Sequence, residues 1–339
     1  MQQFNYNSIN RALNALNNNK FVKLICGASN TDYKQIERLA TVYSLAGVDV
    51  IDISADKDTY QAAQNGIKSA KNIYNNNPEY YEKFNEPLIM ISLNSGSDPH
   101  FKKAVINRSL CSNCLDCVLS CPAGALYEDS GILQHNSKRC YGCARCIDIC
   151  KNKAITLNNN KTEIYIPDNI DAVEIHTGNS SINQVKCFIE ENSYIKQAGL
   201  ISFSVESGLF SREELIHYVS SLTALIDNRV IIQIDGKPMG ANNTASSSLQ
   251  ALAGVQILSE INSGFYIQIA GGINHLTKKY LKLFNLPISG VGYGTFARKI
   301  ILPYIVGLND TEFYASLKKC VNITTNLVDN NGKSVRNVV

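Results

Sequence analysis

The sequence predicts an α/β fold, a TIM-like (β/α)8 barrel that is interrupted after its third strand by a small α+β module. Strand-like apolar runs alternate with helix-like stretches eight times along the 339 residues, as in a parallel sheet covered by helices. The alternation pauses after the third strand, where eight of the eleven cysteines fall between Cys111 and Cys150. Eight units in about 280 residues outside this stretch are near the size of a closed barrel, and a doubly wound open sheet is the alternative.

The predicted elements follow in a regular order. The predicted strands are Phe21–Ser29, Asp49–Ala55, Pro87–Asn94, Ala172–Thr177, Leu200–Glu206, Val230–Asp235, Gly264–Ala270 and Ile288–Tyr293. The predicted helices are Asp32–Ala46, Thr59–Tyr74, Asn183–Gln197, Ser211–Ile226, Thr244–Ser259, Leu276–Phe284 and Thr295–Val306. Ser211 followed by Glu214 is a capping-box pattern, which marks a helix start.

One cysteine pattern, C-x2-C-x2-C-x3-C, occurs twice, from Cys111 to Cys121 and from Cys140 to Cys150. In bacterial two-cluster ferredoxins, three cysteines of each run bind one [4Fe–4S] cluster and the fourth binds the other cluster. The sequence therefore predicts two clusters. The first is assigned to Cys111, Cys114, Cys117 and Cys150, and the second to Cys140, Cys143, Cys146 and Cys121.

A pair of zinc sites is the alternative for these cysteines. Zinc motifs use two C-x2-C pairs separated by a longer loop and need no repeated four-cysteine run. The stretches Cys121–Leu126 and Cys150–Ile155 also repeat, which favours the internal duplication of a ferredoxin. Lys151 replaces the proline that follows the first run, but that proline is not a ligand. The remaining cysteines are assigned no role: Cys26, Cys187 and Cys320.

The predicted domains are a discontinuous barrel of residues 1–104 and 159–339 and a 2×[4Fe–4S] ferredoxin-type domain of residues 105–158. Because the insertion follows a barrel strand, it should lie on the C-terminal face of the barrel, where barrels bind ligands.

Polar residues recur at alternate positions of the predicted strands. Alternate side chains share one face of a strand, and the face against the helices should be apolar, so the polar set should point into the barrel. The set is Lys23, Asp52, Ser92, Asn94, Glu174, His176, Ser202, Ser204, Glu206, Gln233, Asp235 and Gln268. It is either a self-satisfied network, in which Lys23 pairs with an acid such as Asp52, or a ligand pocket. In a catalytic pocket, the acid–base candidates are His176, Glu206 and Asp235.

Glycines lie at and just after the ends of the last two strands. Gly271, Gly272, Gly292 and Gly294, with Arg298 for charge, resemble the phosphate grip of flavin-binding barrels, and FMN or another phosphate-bearing ligand is one hypothesis. Tight turns at the barrel rim are the alternative.

Composition narrows the function classes. The net charge is +3 and the basic residues are scattered, so we expect no nucleic-acid partner. We also expect no membrane span, because no run of 18 apolar residues occurs. Residues 1–20 lack the layout of a signal or transit peptide, which predicts a protein that works where it is made. The excess of Asn, Ile, Lys and Tyr suggests an AT-rich genome, such as that of an organelle.

The chain resembles the light-dependent period protein (LdpA) family of cyanobacteria and plastids over residues 21–304. The residues that carry the resemblance are Phe21–Ser29, Ile91–Ala104, the paired cysteine runs, Gln233–Gly240 and Gly292–Lys299. The resemblance implies an iron–sulfur protein that reports cellular redox state as an input to the circadian clock, here in a plastid copy. The expected location is the plastid stroma if the protein is plastid-encoded and the cytoplasm otherwise.

Two functional hypotheses follow. In the first, the protein is a redox sensor or electron carrier that is read by redox partner proteins. In the second, the clusters supply electrons to a flavin or substrate in the barrel, which is then a reductase. The sequence does not indicate the oligomeric state or the substrate.

Overall fold

The computed structural model describes residues 6–81, 84–159, 163–236, 248–261 and 264–328. In these ranges the strands are β1 (Phe21–Ile25), β2 (Val50–Ser54), β3 (Leu88–Asn94), β4 (Lys102–Ile106), β5 (Leu126–Asp129), β6 (Ile132–His135), β7 (Ile155–Asn159), β8 (Ala172–His176), β9 (Leu200–Glu206), β10 (Ile231–Asp235), β11 (Tyr266–Ala270) and β12 (Gly290–Tyr293). The α-helices are α1 (Tyr6–Asn17), α2 (Tyr33–Leu45), α3 (Lys57–Asn76), α4 (Asp116–Ser120), α5 (Arg145–Ile149), α6 (Ile182–Glu191), α7 (Arg212–Thr223), α8 (Leu249–Ser259), α9 (Thr277–Leu283), α10 (Thr295–Ile301) and α11 (Asp310–Val328).

The barrel closes through parallel pairing in the order β1-β2-β3-β8-β9-β10-β11-β12 and back to β1. β3 pairs directly with β8, with Met90 opposite Ala172 and Asn94 opposite His176, so the insertion leaves the barrel uninterrupted. The (β/α)8 prediction is therefore confirmed, and the open sheet is excluded.

The strand interiors alternate as expected. Outward side chains such as Ile51, Ile53 and Phe203 pack in the large apolar core beneath the helices, whereas the polar residues lie inside the barrel. The capping box of Ser211 and Glu214 is present at the start of α7. Residues 237–247, which include the end of the Gln233–Gly240 stretch and the start of the helix predicted from Thr244, lie outside the described residues.

Outside the inserted module, two of the described helices, α1 and α11, lie outside the predicted set. In α1, Ile9, Ala12 and Leu16 pack against a layer of apolar residues at the N-terminal end of the strands and close that end of the barrel. α11 packs on α2, where the guanidinium of Arg38 lies 4.8 Å from the centroid of the Phe313 ring. No helix in the described ranges is long and apolar enough to cross a membrane.

The inserted module is built from two small antiparallel sheets and two short helices. β4 pairs with β7, with Lys102 opposite Asn159, and β5 pairs with β6. The predicted domain boundaries at 104/105 and 158/159 therefore fall inside a strand pair. The module begins at Lys102 and its last strand ends at Asn159.

Candidate iron–sulfur centre

The two cysteine runs have the same backbone conformation. Asn113 and Gly142, which precede the second cysteine of each run, have φ of 57° and 66°. Leu115 and Ala144, which follow that cysteine, have φ of 66° and 62° and directly precede α4 and α5. Non-glycine residues in the left-handed region are uncommon, so their recurrence at equivalent places indicates a duplicated loop. Loops of this kind turn successive backbone N–H groups towards one point, which suits an anionic centre.

The cysteines form two groups in space. Cys121 lines one cavity together with Cys140, Cys143 and Cys146. In the other group, the Cys117 thiol interacts electrostatically with Cys111, Cys114 and Cys150. All eleven cysteines of the chain are free. Four thiolates around one point suit a cubane cluster, and each group draws its fourth sulfur from the opposite run. The assignment of individual ligands stays a prediction, and this grouping supports it.

An apolar shell surrounds the thiols. Ala104, Leu126, Leu133 and Ile155 pack with the cysteines in a core of the module's own. Backbone N–H groups also donate to sulfur, from Ala104 to Cys140 Sγ and from Ala154 to Cys150 Sγ, both at 3.3 Å. Exclusion of water and hydrogen bonds to sulfur are the levers by which a protein sets a cluster potential. The residues present therefore fit iron–sulfur clusters.

The second cysteine run packs on the rim of the barrel. Tyr141, which follows Cys140, is buried, and its hydroxyl lies 3.0 Å from Thr295 Oγ1 at the start of α10. The Arg298 guanidinium lies 3.9 Å from the centroid of the Tyr141 ring, a cation–π contact, and it donates to the carbonyl of Cys26 after β1. Arg298 thus joins the module to the barrel, which differs from the free cation expected for a phosphate.

A second set of contacts joins the module to the loop after β1. Lys103 Nζ donates to the carbonyls of Ser137 and Cys140 at 2.8 and 2.9 Å, and also to the carbonyl of Ser29. Arg139 Nε donates to Asp32 Oδ2 at 2.6 Å, the carboxylate that caps α2. Lys103 and Arg139 therefore join the module to the loop after β1 through charge-assisted hydrogen bonds beside the start of the second run.

Gly142 permits a close approach between the second cysteine run and the backbone of Pro99 and Lys102. A Cβ at this position would lie 1.9 Å from the carbonyl oxygen of Pro99 and 2.8 Å from that of Lys102. We expect Gly142→Ala to weaken cluster binding in the second run and to loosen the module, because the Pro99 segment must move aside. The measurement is iron and sulfide content after anaerobic purification, with limited proteolysis of the module.

Gly131→Ala is the matched control for this prediction. Gly131 also has a positive φ, of 76°, but a Cβ there would meet nothing within 4 Å. Both variants carry the left-handed strain of about 1–2 kcal/mol, and only Gly142→Ala adds the clash. Equal iron contents in the two variants would contradict the importance of this approach.

The barrel interior holds a hydrogen-bonded polar network. Lys23 pairs with an acid of the interior, as expected for a self-satisfied network, but this acid is Glu174 and not Asp52, the acid given as the example. Glu174 also accepts from Ser202 Oγ at 3.1 Å and from Gln233 Nε2 at 3.0 Å. Burial raises the pKa of Glu174, but the charges of Lys23 and His176 and the hydrogen bonds from Lys23 and Ser202 together outweigh this effect, and the pKa is lowered. Most of the network is therefore satisfied by its own members.

The three acid–base candidates lie at the C-terminal ends of β8, β9 and β10. Asp235 accepts from Ser204 Oγ and Gln233 Nε2, and burial, with the nearby Glu174, raises its pKa. Glu206 is partly exposed and stands opposite Asp235 in the register. His176 is buried, and its Nδ1 lies 2.7 Å from Asp98 Oδ2. Burial opposes protonation of His176, but the hydrogen bond and charge of Asp98 raise its pKa to about 9.

Asp98 and His100 are site residues that the sequence analysis missed. They lie between β3 and β4, in a loop outside the alternating strand positions that supplied the other candidates. The signal was present: Asp98-Pro99-His100 begins four residues after Asn94, where a strand ends on the C-terminal face. His100 Nδ1 lies 2.6 Å from Asp98 Oδ1, so Asp98 contacts both imidazoles.

The glycines at the barrel mouth have packing roles. A Cβ at Gly271, whose φ is 56°, would lie 2.6 Å from the backbone nitrogen of Gly236. A Cβ at Gly292 would lie 2.7 Å from Nε2 of Gln268 inside the barrel. Gly272 also has a positive φ, of 71°, and Gly294 precedes α10 without a side-chain cap. These features are explained by tight turns, and a phosphate or FMN site here stays a prediction without support.

Known protein families match both the barrel and the inserted module. The Light dependent period A C-terminal domain family matches residues 165–334, and the 4Fe-4S dicluster domain family matches residues 103–151. Light dependent period A of Synechococcus elongatus is 29% identical over 308 residues, which are 84% of this chain and 82% of that protein. The arsenate respiratory reductase iron-sulfur subunit ArrB of a Shewanella species is 35% identical over 71 residues, 20% of this chain and 30% of that protein.

Solved structures that follow a similar course of the chain match with low TM-scores and low sequence identity. The tryptophan synthase alpha chain from Legionella pneumophila has a TM-score of 0.41 and 9% identity, with 96% of this chain and 99% of that chain covered. The carboxyl transferase domain of Rhizobium etli pyruvate carboxylase has a TM-score of 0.42 and 9% identity, with 96% of this chain and 51% of that chain covered.

The 4Fe-4S dicluster domain, its free cysteines and its place on a closed barrel define an iron–sulfur protein of the electron-transfer class. Within that class, the chain belongs to the Light dependent period A (LdpA) family.

Proposed function

We propose that this protein binds two [4Fe–4S] clusters and reports the redox state of its compartment through them. The observation that carries the proposal is the junction between the second cysteine run and the barrel. Tyr141 lies between the two: the guanidinium of Arg298 in α10 packs on its ring, and Tyr141 lines the same cavity as Cys143. Reduction of a cluster adds a negative charge at this junction. A buried charge change next to a packed interface can bias it between two arrangements.

Partner proteins would read such a change at the surface. The module exposes Leu119, at 92% of its full area, beside Cys121, and also exposes Ile149 beside Cys150. Apolar side chains next to cluster ligands offer a small contact area of the kind used in weak redox encounters. We propose redox partner proteins that dock at this side of the module, in the plastid stroma if the gene is plastid-encoded.

A cluster-fed reductase is the second candidate, and one observation favours it. Burial, together with the charge of Glu174, raises the pKa of Asp52 to about 7. Its Oδ2 has no hydrogen-bond partner among the described residues. A carboxyl group that exchanges its proton near neutral pH can serve as a general acid or base. This candidate requires an electron acceptor bound in the barrel.

Cofactor analysis of the protein after anaerobic purification tests the proposal. We expect about eight iron and about eight sulfide per chain, because two [4Fe–4S] clusters account for all eight cysteines of the two runs. We expect no stoichiometric flavin. Zinc without sulfide would contradict cluster binding. A stoichiometric flavin beside the clusters would instead support the reductase.

A further inference from the structure

Three side chains with metal-binding chemistry meet between the barrel mouth and the module. His176 is the last residue of β8, while Asp98 and His100 lie in the segment that leads from β3 into β4. One ligand atom from each lies within 4.8 Å of the others. Asp98 and His176 are buried and His100 is mostly buried, so the group is shielded from bulk water.

We propose that Asp98, His100 and His176 bind a divalent transition-metal ion of the zinc or iron(II) class, separate from the iron–sulfur clusters. Two imidazoles and one carboxylate are a donor set that these ions use in proteins, with the remaining positions open to water or another ligand. The Nδ1 atoms of both rings face the same carboxylate, at 2.7 and 2.6 Å from its two oxygens. All three side chains therefore offer their donor atoms to one volume.

The surroundings of His176 supply an independent argument. Its other ring nitrogen, Nε2, lies 3.5 Å from Glu174 Oε1 and 3.4 Å from Ser92 Oγ. A histidine that binds a metal through one nitrogen usually donates from the other to a carboxylate, which fixes the tautomer and the ring plane. Glu174 is itself held by Lys23, Ser202 and Gln233. The edge of Phe101 also packs on the ring, with centroids 5.1 Å apart.

Binding would replace protons. Without an ion, the two imidazoles share hydrogen bonds with Asp98, and an ion takes the place of the Nδ1 protons. Donor atoms bound to zinc at 2.0–2.1 Å lie roughly 3.3 Å apart in a tetrahedral site, so the rings must retreat by less than about 1 Å. This adjustment is small for Asp98 and His100, which lie in the segment between β3 and β4 and can move relative to His176 on β8.

The position of the site gives it a structural consequence. Pro99 lies between two of the ligands, and its carbonyl is the atom against which Gly142 of the second cysteine run packs. An ion bound by His176 on one side and by Asp98 and His100 on the other would tie the barrel to the segment that enters the module. The ion would thus fix the surface on which the second run rests.

Zinc binding to the anaerobically purified holoprotein tests the proposal. Zinc is added, unbound metal is removed by gel filtration, and zinc, iron and sulfide are counted by mass spectrometry and sulfide assay. We expect one zinc per chain in the wild type with iron and sulfide unchanged. Asp98→Asn and His100→Ala should each weaken zinc binding at least ~10-fold, since loss even of an outer partner costs that much.

Two further variants complete the design. His217→Ala removes an exposed histidine of α7 and should bind zinc like the wild type. His100→Cys keeps a zinc ligand at the site and should retain zinc, which separates ligand loss from damage to the fold. Absence of bound zinc in the wild type, or equal zinc in the wild type, Asp98→Asn and His100→Ala, would overturn the proposal.

Discussion

Replacing Cys121 with serine should remove the second cluster and leave the first. Cys121 belongs to the first run in sequence, but it lines the same cavity as Cys140, Cys143 and Cys146. A serine hydroxyl is a much poorer ligand for iron than a thiolate, because soft thiolates are what iron–sulfur clusters select. Iron and sulfide should therefore fall from about eight to about four per chain. The measurement is iron and sulfide content, with EPR of the reduced protein.

Reference variants identify the cluster that is lost. Cys146→Ser marks loss of the second cluster and Cys117→Ser marks loss of the first, so the residual EPR spectrum of Cys121→Ser should match that of Cys146→Ser. Cys187→Ser is the control, because this cysteine is exposed on α6, away from the module. A spectrum like that of Cys117→Ser would mean that each run binds its own cluster with all four cysteines.

The candidate cluster ligands can be predicted from sequence because their spacing is a local property. Three cysteines in seven residues can surround one corner of a cubane only if the backbone turns tightly, and the turns at Asn113 and Gly142 follow from that demand. The barrel strands are also readable, because each carries an apolar face against the helices and a polar face inside. This alternation is sufficient to identify Glu174 and Gln233 as interior residues.

Which interior side chains pair across the barrel cannot be predicted from local sequence patterns. Lys23 lies on β1 and Glu174 on β8, and which acid lies within reach depends on strand tilt and stagger, which no local pattern encodes. Asp52 is on the neighbouring strand and is the nearer choice in sequence, but its Oδ1 instead accepts from Ser92 Oγ at 2.7 Å. The contact of Arg298 could not be predicted either, because its partner, the Tyr141 ring, is far away in sequence. The nearby glycines suggest a phosphate as the partner instead.

Helix α1 was not predicted from the sequence for a different reason. α1 lies in an Asn-rich segment whose polar residues outnumber the apolar ones, and only Ile9, Ala12 and Leu16 form its buried apolar stripe. Its stability comes from covering the apolar layer at the end of the barrel rather than from its own propensity. Composition alone describes such a segment as a loop.

Replacing Lys23 with methionine should produce the largest loss of stability of any single change in the barrel interior. Lys23 and Glu174 both have a side-chain exposure of 0%. Removing one partner of a buried ion pair leaves an uncompensated charge, at a cost of about 3–5 kcal/mol. Lys71→Met is the matched control, because Lys71 and Glu86 form a pair that is about half exposed, and such pairs contribute less than about 1 kcal/mol. The measurement is the midpoint temperature of thermal unfolding, monitored by circular dichroism under anaerobic conditions.

The pH dependence of this loss gives a sharper test. In the wild type the pKa of Glu174 is lowered, so its stabilising contribution is present above its ordinary pKa and is lost only in acid. In Lys23→Met the largest influence that offsets burial is removed, so we expect the pKa of Glu174 to rise above its ordinary value. The folded variant then favours the protonated carboxyl group and is destabilised as the pH increases. The difference between variant and wild type should therefore grow as the pH rises above the ordinary pKa of a glutamate, about 4.3, and level off once the pH exceeds the raised pKa.

The double variant Lys23→Met/Glu174→Gln separates charge from packing. It removes both charges and keeps an amide that can bond to Ser202 and Gln233, so it should be more stable than Lys23→Met alone, with no growth of the deficit as the pH rises. If Lys23→Met matched Lys71→Met in stability, or if the double variant were no better than the single one, the buried pair would not be what holds the polar interior together. In that case the interior polar groups would have to be reached by water or by a ligand that compensates Glu174.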